Sequence, residues 1–492
     1  MVGITGFGAY VPWNRLRRQT IFSALGWFNA GNLAHARGAK AVAGHDEDSL
    51  TMAVAAGIAC CGQRTRDGIG GLYLASTTPP YGLRSNAGIA AAALNLRTGV
   101  RTMDFTGSLR AGTGALLAAC EAAEAHGDQI LVLAADCRLA KAGSVQEYLF
   151  GDAAAAFLVG KEGVIAAFEG FYSTARDFVD HRRLDTDLFD RMWEERWIRD
   201  EGYLKLMPEA VSGLLAKYNL RLADFSRVIF PCPFSRARAA VTTALGMDAA
   251  QQAPDFLDEV GDAGSAHPLL MLAGALEEAR PGDRLLVIGF GNGCDALVFR
   301  VTEEIRRTMG TKGAKSRFQR RRWLEPYEKY AGFRHLLDLE TGIRGEQVPP
   351  TSWPVMWRER KSVLGLCGVR CRRCGTPQFP GQRVCVNPHC GAVDEMDEYC
   401  FADKQGRVFS YTADHLAFSP EPPAVYGVVD FAGGGRYWFD FTDCVPEDLK
   451  VGMSVQMSFR RKYVDYAHGV YGYFWKAVPG LDEGADDGGR RD

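Results

Sequence analysis

The chain has 492 residues, 47% of them hydrophobic and 24% charged, with a formal net charge of −2. This is the composition of an ordinary globular protein, which excludes a disordered, collagen-like or small disulfide-framework chain. The near-neutral charge argues against a dedicated nucleic-acid binder, and no run of ~18 apolar residues occurs that would span a membrane. At roughly 100–200 residues per domain, three or four domains are expected. The N-terminus, MVGITGFGAYVP, has no basic region followed by an apolar one, so no signal peptide is expected. The 13 cysteines are therefore expected to be reduced thiols in the cytoplasm.

In chain order, the first 300 or so residues alternate short aliphatic runs with Ala-rich helical stretches. GLYLAST (71–77), QILVLAAD (129–136), AAFLVG (155–160), RVIFPCP (227–233), RLLVIGF (284–290) and ALVFRV (296–301) read as buried strands. DSLTMAVAAGIACC (48–61), AGTGALLAACEAAEAH (111–126) and HPLLMLAGALEEA (267–279) read as helices, which together imply an α/β domain with covered sheets. ILVLAAD followed by GDAAAAFLVG, and LLVIGF followed by GNGCDALVFRV, suggest two related halves, 1–161 and 162–302, about a pseudo-twofold axis. GITGFGA mimics a dinucleotide fingerprint, but no complete strand precedes it and no acidic residue follows at the right distance. Its glycines are read as strand-edge packing. DLFDRMWEERWIRDEGY (187–203) reads as an amphipathic helix over the site or a dimer interface, and Asp180-His181 with Arg182 and Arg183 reads as a surface cluster rather than a catalytic dyad.

The composition changes at 305–324, which holds eight basic residues and no acidic one. Residues 303–365 are read as a basic linker with connecting helices. A solvated linker is one reading; the other is a phosphate site built from Lys315, Arg317, Arg320, Arg321 and Arg322, since Arg forks suit phosphate oxygens. In 366–395 the spacing Cys371-x2-Cys374-x10-Cys385-x4-Cys390 lets four thiolates converge tetrahedrally, which predicts a zinc ribbon with one structural Zn²⁺. Cys367 and His389 lie nearby as alternate ligands. Residues 396–478 show short strands with turn signals, as in a small antiparallel barrel of OB type, and 479–492 read as a disordered tail. The barrel's bases are interleaved with acids, so no nucleic-acid groove is expected.

Taken together, GITGFGAYVP, EDSLTMAVAAG, DFTGSLRAGTGAL, FGDAAAAFLVG, WEERWIRDEGY and GDAGSAHPLLMLAGALEEARPGDRLLVIGFGNG resemble the thiolase superfamily, in its hydroxymethylglutaryl-CoA synthase and 3-oxoacyl carrier-protein synthase III branch. The C-terminal part resembles the zinc-ribbon plus OB-fold proteins that accompany such enzymes. The resemblance implies a duplicated, five-layered thiolase-like fold, a homodimer, and an acyl-CoA or acyl-carrier-protein substrate. It also implies an acyltransferase that makes or breaks C–C bonds, and, for the C-terminal part, a thiolase or carrier protein as a possible partner.

The family's chemistry uses a Cys at a helix N-terminus, a His and an Asn for the oxyanions, and a Glu as general base. Carried over, Leu109 stands at the Cys, Pro231 at the His, Gly261-Asp262 at the Gly-Asn pair and Thr77 at the Glu. Four substitutes are candidates: Ser108 or Cys232 as nucleophile, and His267 as a general base beside Asp262. Cys294 lies in the Gly-rich loop that follows. Three readings stay open: acyl transfer through a displaced nucleophile, non-covalent aldol or retro-aldol chemistry, and a non-catalytic acyl-CoA-binding scaffold or thiolase partner.

Overall fold

The computed structural model describes residues 1–62, 64–308, 320–346 and 351–480. The chain divides into two compact units, residues 1–91 with 96–338, and 92–95 with the residues from 339 onward. In the first unit, β1 (Gly3–Tyr10), α1 (Ser49–Cys61), β2 (Ile69–Ala75), α2 (Asn86–Ala93), β3 (Arg101–Phe105), α3 (Ala111–His126), β4 (Gln129–Asp136) and β5 (Ala153–Gly160) form the first half. β6 (Ala166–Ala175), α4 (Leu204–Tyr218), β7 (Arg227–Ile229), α5 (Ser235–Leu245), α6 (His267–Glu278), β8 (Arg284–Phe290) and β9 (Gly293–Val301) form the second.

The strands make one nine-stranded sheet in the order β7-β8-β9-β6-β1-β5-β4-β2-β3. Read outward from its centre, the two halves have the same order: β1-β5-β4-β2-β3 and β6-β9-β8-β7. They meet where Gly3 and Ile4 pair antiparallel with Ala167 and Ala166. This is the duplication expected from the repeated strand–helix text. The fingerprint-like glycines are not at a strand edge. β1 is a central strand, and a Cβ on Gly8 would stand 2.4 Å from the Cys60 nitrogen, so glycine there lets α1 lie directly on the sheet.

α3 and α6 touch strands of both halves and form the inner layer, whereas α1 and α4 each cover strands of their own half. α6 is buried on every side from His267 to Leu276, which is how an all-round apolar helix must sit. Each leucine so buried contributes roughly 1.5–3 kcal/mol. Among the described residues, no helix is long and apolar enough to cross a membrane.

Residues 303–365 do not form one linker. Lys315 and Arg317 lie outside the described residues. Arg322 and Trp323 pair in parallel with Asn14 and Arg15, and Leu324, Tyr330 and Phe333 join a core cluster of the first unit. Arg322 donates to Asn14 Oδ1 (2.7 Å) and its guanidinium lies 4.4 Å from the Trp13 ring centroid. Arg320 also covers Trp13, and Arg321 covers Trp323. Arg334 then enters the core, where it donates to Asp152 Oδ2 (3.0 Å) and to the carbonyls of Cys137 (3.2 Å) and Arg138 (3.0 Å). This buried ion pair draws residues 320–338 onto the first unit, a docking that charge counting along the chain does not reveal.

In the second unit, β10 (Cys367–Cys371) pairs with β11 (Pro377–Gln378) and β12 (Met396–Cys400) in a three-stranded ribbon. β13 (Gly406–Asp414), β14 (Ala424–Phe431), β15 (Arg436–Asp440), β16 (Ser454–Asp465) and β17 (Val470–Pro479) form an antiparallel sheet in the order β15-β14-β13-β16-β17. A bridge between Phe441 and Ala477 curls the sheet toward closure around Phe439, Phe459 and Trp475. This is the expected OB-type barrel. Of the tail, Pro479 ends β17 and 481–492 lie outside the described residues.

Candidate active site and cysteine cluster

The turn before α3 places Ser108, Leu109 and Arg110 at the helix N-terminus. Ser108 Oγ donates to the Gly291 carbonyl (2.8 Å) and accepts from Arg110 N (3.3 Å). A Cβ on Gly291, whose φ is +152°, would meet Ser108 Oγ at 2.9 Å and Leu109 N at 3.0 Å, so the GFGNG loop is pressed backbone-first onto this turn. Arg110 and Thr113 are held by the two carboxylate oxygens of Asp295, each at 2.8 Å. No imidazole or carboxylate is among the hydrogen-bond partners of Ser108, so nothing activates it. Cys232 is buried, and burial pushes its thiol up to about 12. Burial raises the Cys294 thiol too. Neither forms a ready thiolate.

The polar groups gather instead where the two halves interlock. Asp262 N donates to Leu149 O (2.7 Å) and Gly151 N donates to Asp262 O (3.0 Å). Arg138, just past β4, is completely buried; its Nη2 donates to Asp262 Oδ2 (2.6 Å) and to Asp262 O (3.0 Å), and its guanidinium covers the Phe150 ring at 3.9 Å. Arg138 Nε and Nη1 have no hydrogen-bond partner. Burial pushes the Asp262 carboxyl up, but the charge of Arg138 and its hydrogen bond outweigh it and hold Asp262 at about 2.

Asp136 accepts from Thr77 N (2.6 Å), Thr77 Oγ1 (3.0 Å) and Ser265 N (2.7 Å), so Thr77, at the family's Glu position, is a strut between loops. Burial is the largest influence on the Asp136 carboxyl and leaves it raised, against the pull of Arg138 and the donors.

His267 opens α6, as the sequence suggested, but Asp262 does not orient it. The Asp262 oxygens are taken by Arg138 and by Gly264 N (3.1 Å). His267 Nδ1 accepts from Ala263 N (3.3 Å), which puts the ring proton on Nε2, and Nε2 has no partner. Burial lowers its pKa, so the ring is neutral and a donor rather than a base.

Two features escaped the sequence reading. Asp180 and His181 are not a surface cluster: their side chains are 3% and 8% exposed and their Oδ2 and Nδ1 atoms are 3.2 Å apart. Tyr203 ends a π-helical turn, Ile198–Tyr203, and is buried near Asp180, Cys232 and Asp262. Burial raises its hydroxyl well above the ordinary range. The only textual signal was the aromatic, charge-rich WEERWIRDEGY segment. The structure thus brings Asp262, His267 and Cys232 into one neighbourhood and leaves Ser108 tied to the Gly291 loop.

In the second unit, the sulfurs of Cys371, Cys374, Cys385 and Cys390 all lie within 4.8 Å of one another, with Cys371–Cys390 at 3.7 Å and Cys374–Cys385 at 3.5 Å. A tetrahedron with metal–sulfur bonds of ~2.3 Å has sulfur edges of ~3.8 Å, so the set fits one ion with no open position. Cys367 is not an alternate ligand. It stands opposite Cys400 across β10 and β12 and is joined to it in a disulfide, which departs from the expectation of reduced thiols throughout. His389 is exposed and outside the cluster.

Arg138→Met should destabilise the protein by about 3–5 kcal/mol at neutral pH, because Asp262 is left charged and buried without its cation. In the wild type Asp262 is depressed, so its contribution is complete above the unfolded carboxylate value of ~3.9 and fades as the pH falls toward about 2. In the variant, where burial is no longer opposed by Arg138, acidification protonates Asp262 and relieves the buried charge. Urea midpoints at about pH 7.5 and 4.5 should show the deficit shrinking on acidification; an equal deficit at both would clear Asp262 of the effect.

Residues 215–301 match the family described as the C-terminal part of 3-oxoacyl-[acyl-carrier-protein] synthase III, and 401–460 match the ChsH2 C-terminal OB-fold domain. The hydroxymethylglutaryl-CoA synthase of Methanopyrus kandleri is 32% identical over 315 residues, spanning 62% of this chain and 89% of that protein. The enzyme of the same name from Aeropyrum pernix is 32% identical over 310 residues, spanning 62% and 86%. Among solved structures, an HMG-CoA synthase complexed with CoA superposes with a TM-score of 0.61 at 18% identity, over 71% of this chain and 94% of that one. An OleA variant from Xanthomonas campestris superposes with a TM-score of 0.55 at 17% identity, over 61% and 96%. The duplicated sheet, its paired inner helices and these relatives agree: the chain belongs to the hydroxymethylglutaryl-CoA synthase family of thiolase-like condensing enzymes, with a zinc-ribbon-like segment and an OB-fold domain following in the same chain.

Proposed function

We propose that the chain makes or breaks a C–C bond beside a coenzyme A or carrier-protein thioester through an enolate, without a covalent acyl-enzyme. The observation that carries this is the pair of buried, unpartnered donors, Arg138 Nε/Nη1 and His267 Nε2, at a site whose nucleophile position is Leu109. A buried N–H without a partner costs about 1–3 kcal/mol, which an anionic oxygen of a substrate would relieve. Donors fixed in advance toward a developing oxyanion are the largest common source of catalysis. With such stabilisation, aldol and retro-aldol steps need only an acid–base group. Loss of the family's four reactive residues favours a second reading, a scaffold that binds acyl-CoA without turning it over.

Intact-mass analysis after incubation with acetyl-CoA should show no acetyl adduct, while the α-protons of acetyl-CoA should exchange in D₂O. An adduct lost in Ser108→Ala or Cys232→Ala would restore acyl transfer, and bound acetyl-CoA with no exchange would leave the scaffold.

Zinc is the ion we assign to the four-cysteine cluster, in a purely structural role, since thiolate sets of this geometry favour it. Freshly purified protein should contain one zinc per chain. Cys374→Ser should lose the metal and unfold the ribbon, leaving the circular-dichroism signal and thermal transition of the first unit in place. Substoichiometric zinc across independent preparations would remove the assignment.

We also propose a homodimer. β3 is the last strand of the sheet on its side, and Met103 in it is 45% exposed, so its edge is open to a second copy. Light scattering should give about twice the 53.8 kDa chain mass, and Met103→Lys should shift it toward the monomer. A wild-type monomer at micromolar concentration would refute the pairing.

A further inference from the structure

We propose that Asp180 and His181 are the acid–base dyad of this site, with His181 Nε2 taking and returning the proton and Asp180 positioning the ring. The inference rests on the enolate reading above.

The dyad follows β6 on a short hairpin, in which His181 pairs with Met192 and Arg182 with Arg191. Asp180 Oδ2 lies 3.2 Å from His181 Nδ1, with both side chains nearly buried. A carboxylate can only accept, so it fixes the proton on Nδ1 and leaves the lone pair on Nε2. His181 Nε2 makes no hydrogen bond among the described residues. His267 is the reverse case, since the backbone N–H of Ala263 takes its Nδ1 lone pair and leaves Nε2–H as a donor. The two rings of this region are thus held in opposite ways, His267 with its Nδ1 against a backbone N–H and His181 with its Nδ1 against a carboxylate.

Position supports the same assignment. The His181 ring centroid is 6.1 Å from that of Phe150, whose face carries the Arg138 guanidinium at 3.9 Å. Asp180 lies close enough to Tyr203, beside Cys232, to act on its hydroxyl. Arg183 bonds to Asp190 and to the Thr77 carbonyl, which ties the hairpin to the loop at the family's Glu position. An imidazole from a different element thus reaches the neighbourhood where Pro231 and Thr77 have replaced the family's His and Glu.

In the cleavage direction, His181 Nε2 accepts the proton of a 3-hydroxyl on the acyl chain. The O–H pair becomes the second bond of a new aldehyde or ketone, the C2–C3 bond breaks, and its electron pair enters the thioester as an enolate whose charge rests on the carbonyl oxygen. His181 then returns the proton to C2. Condensation is the reverse, beginning with removal of a C2 proton.

The test is α-proton exchange of acetyl-CoA in D₂O by wild type, His181→Ala and His181→Asn, with acetyl-CoA affinity and melting temperature measured in parallel. His181→Asn keeps an amide donor toward Asp180 but cannot take a proton. The expected result is a loss of at least ~100-fold in exchange in both variants, affinity and melting temperature held, and partial recovery of His181→Ala with added imidazole. Asp180→Asn should reduce exchange and Asp180→Glu restore part of it, a rescue that a packing role would not give. Exchange at the wild-type rate in His181→Asn, or exchange and affinity lost together with a lowered melting temperature, would overturn the dyad and leave the enolate reading. Absence of exchange in the wild type would overturn both.

Discussion

Two opposite charges buried against each other organise the first unit. Arg138 comes from the first half and Asp262 from the second, and their side chains meet at 2.6 Å in the interior. Neither could be buried alone, because an isolated charge in that medium loses several kcal/mol of hydration. The pair therefore requires the halves to close in one register, which the backbone bonds between 149–151 and Asp262 hold. Once they close, Asp136, Thr77, Ser265 and His267 are fixed by hydrogen bonds to their neighbours, and Phe150 is flattened beneath Arg138. The buried pair Arg334–Asp152 repeats the device and attaches residues 320–338.

The family fold is held here by contacts that do not involve the side chain at position 109. The glycine loop 289–293 meets the α3 N-terminus backbone-first, with the Gly291 carbonyl accepting from Ser108 Oγ and Gly291 packed against Leu109 N. What the frame supplies is a set of buried donors held by a rigid core, Arg138 Nε and Nη1 and His267 Nε2, which have no partner among the described residues. A covalent step splits a barrier but is dispensable when an aldehyde or ketone, rather than an acyl group, is the partner of the enolate.

The second unit achieves stability by different means. Its ribbon is too small to bury a core, and the four sulfurs with the Cys367–Cys400 link take the place of one. The barrel that follows is closed by aromatic packing around Trp475, whose Nε1 donates to Leu364 O at 2.7 Å.

Much was legible in the text itself. The strands 129–136 and 284–290, the helix 111–126 and the barrel strands 406–414 and 424–431 follow from local periodicity and turn residues, and the structure returns the same bounds. The cysteine spacing fixes its cluster because two tight turns leave the sulfurs few other places to go. That Leu109, Pro231 and Thr77 stand where the resemblance puts the family's reactive residues is a reading of the text, because which residue occupies a position is a property of sequence. The fate of Asp180, His181, Tyr203 and Arg138 was not written there. A short polar run reads the same whether it faces water or the interior, and which it faces depends on partners far along the chain, such as Asp262, 124 residues from Arg138. Tautomers are still further from the text: His267 and His181 are the same residue, and only the neighbour at Nδ1, an N–H in one case and a carboxylate in the other, makes the first a donor and the second a base. Sequence determined the elements, the duplication and the four-cysteine cluster, because these depend on near neighbours; tertiary structure alone decided which charges are buried together, because desolvation is set by whatever closes over them.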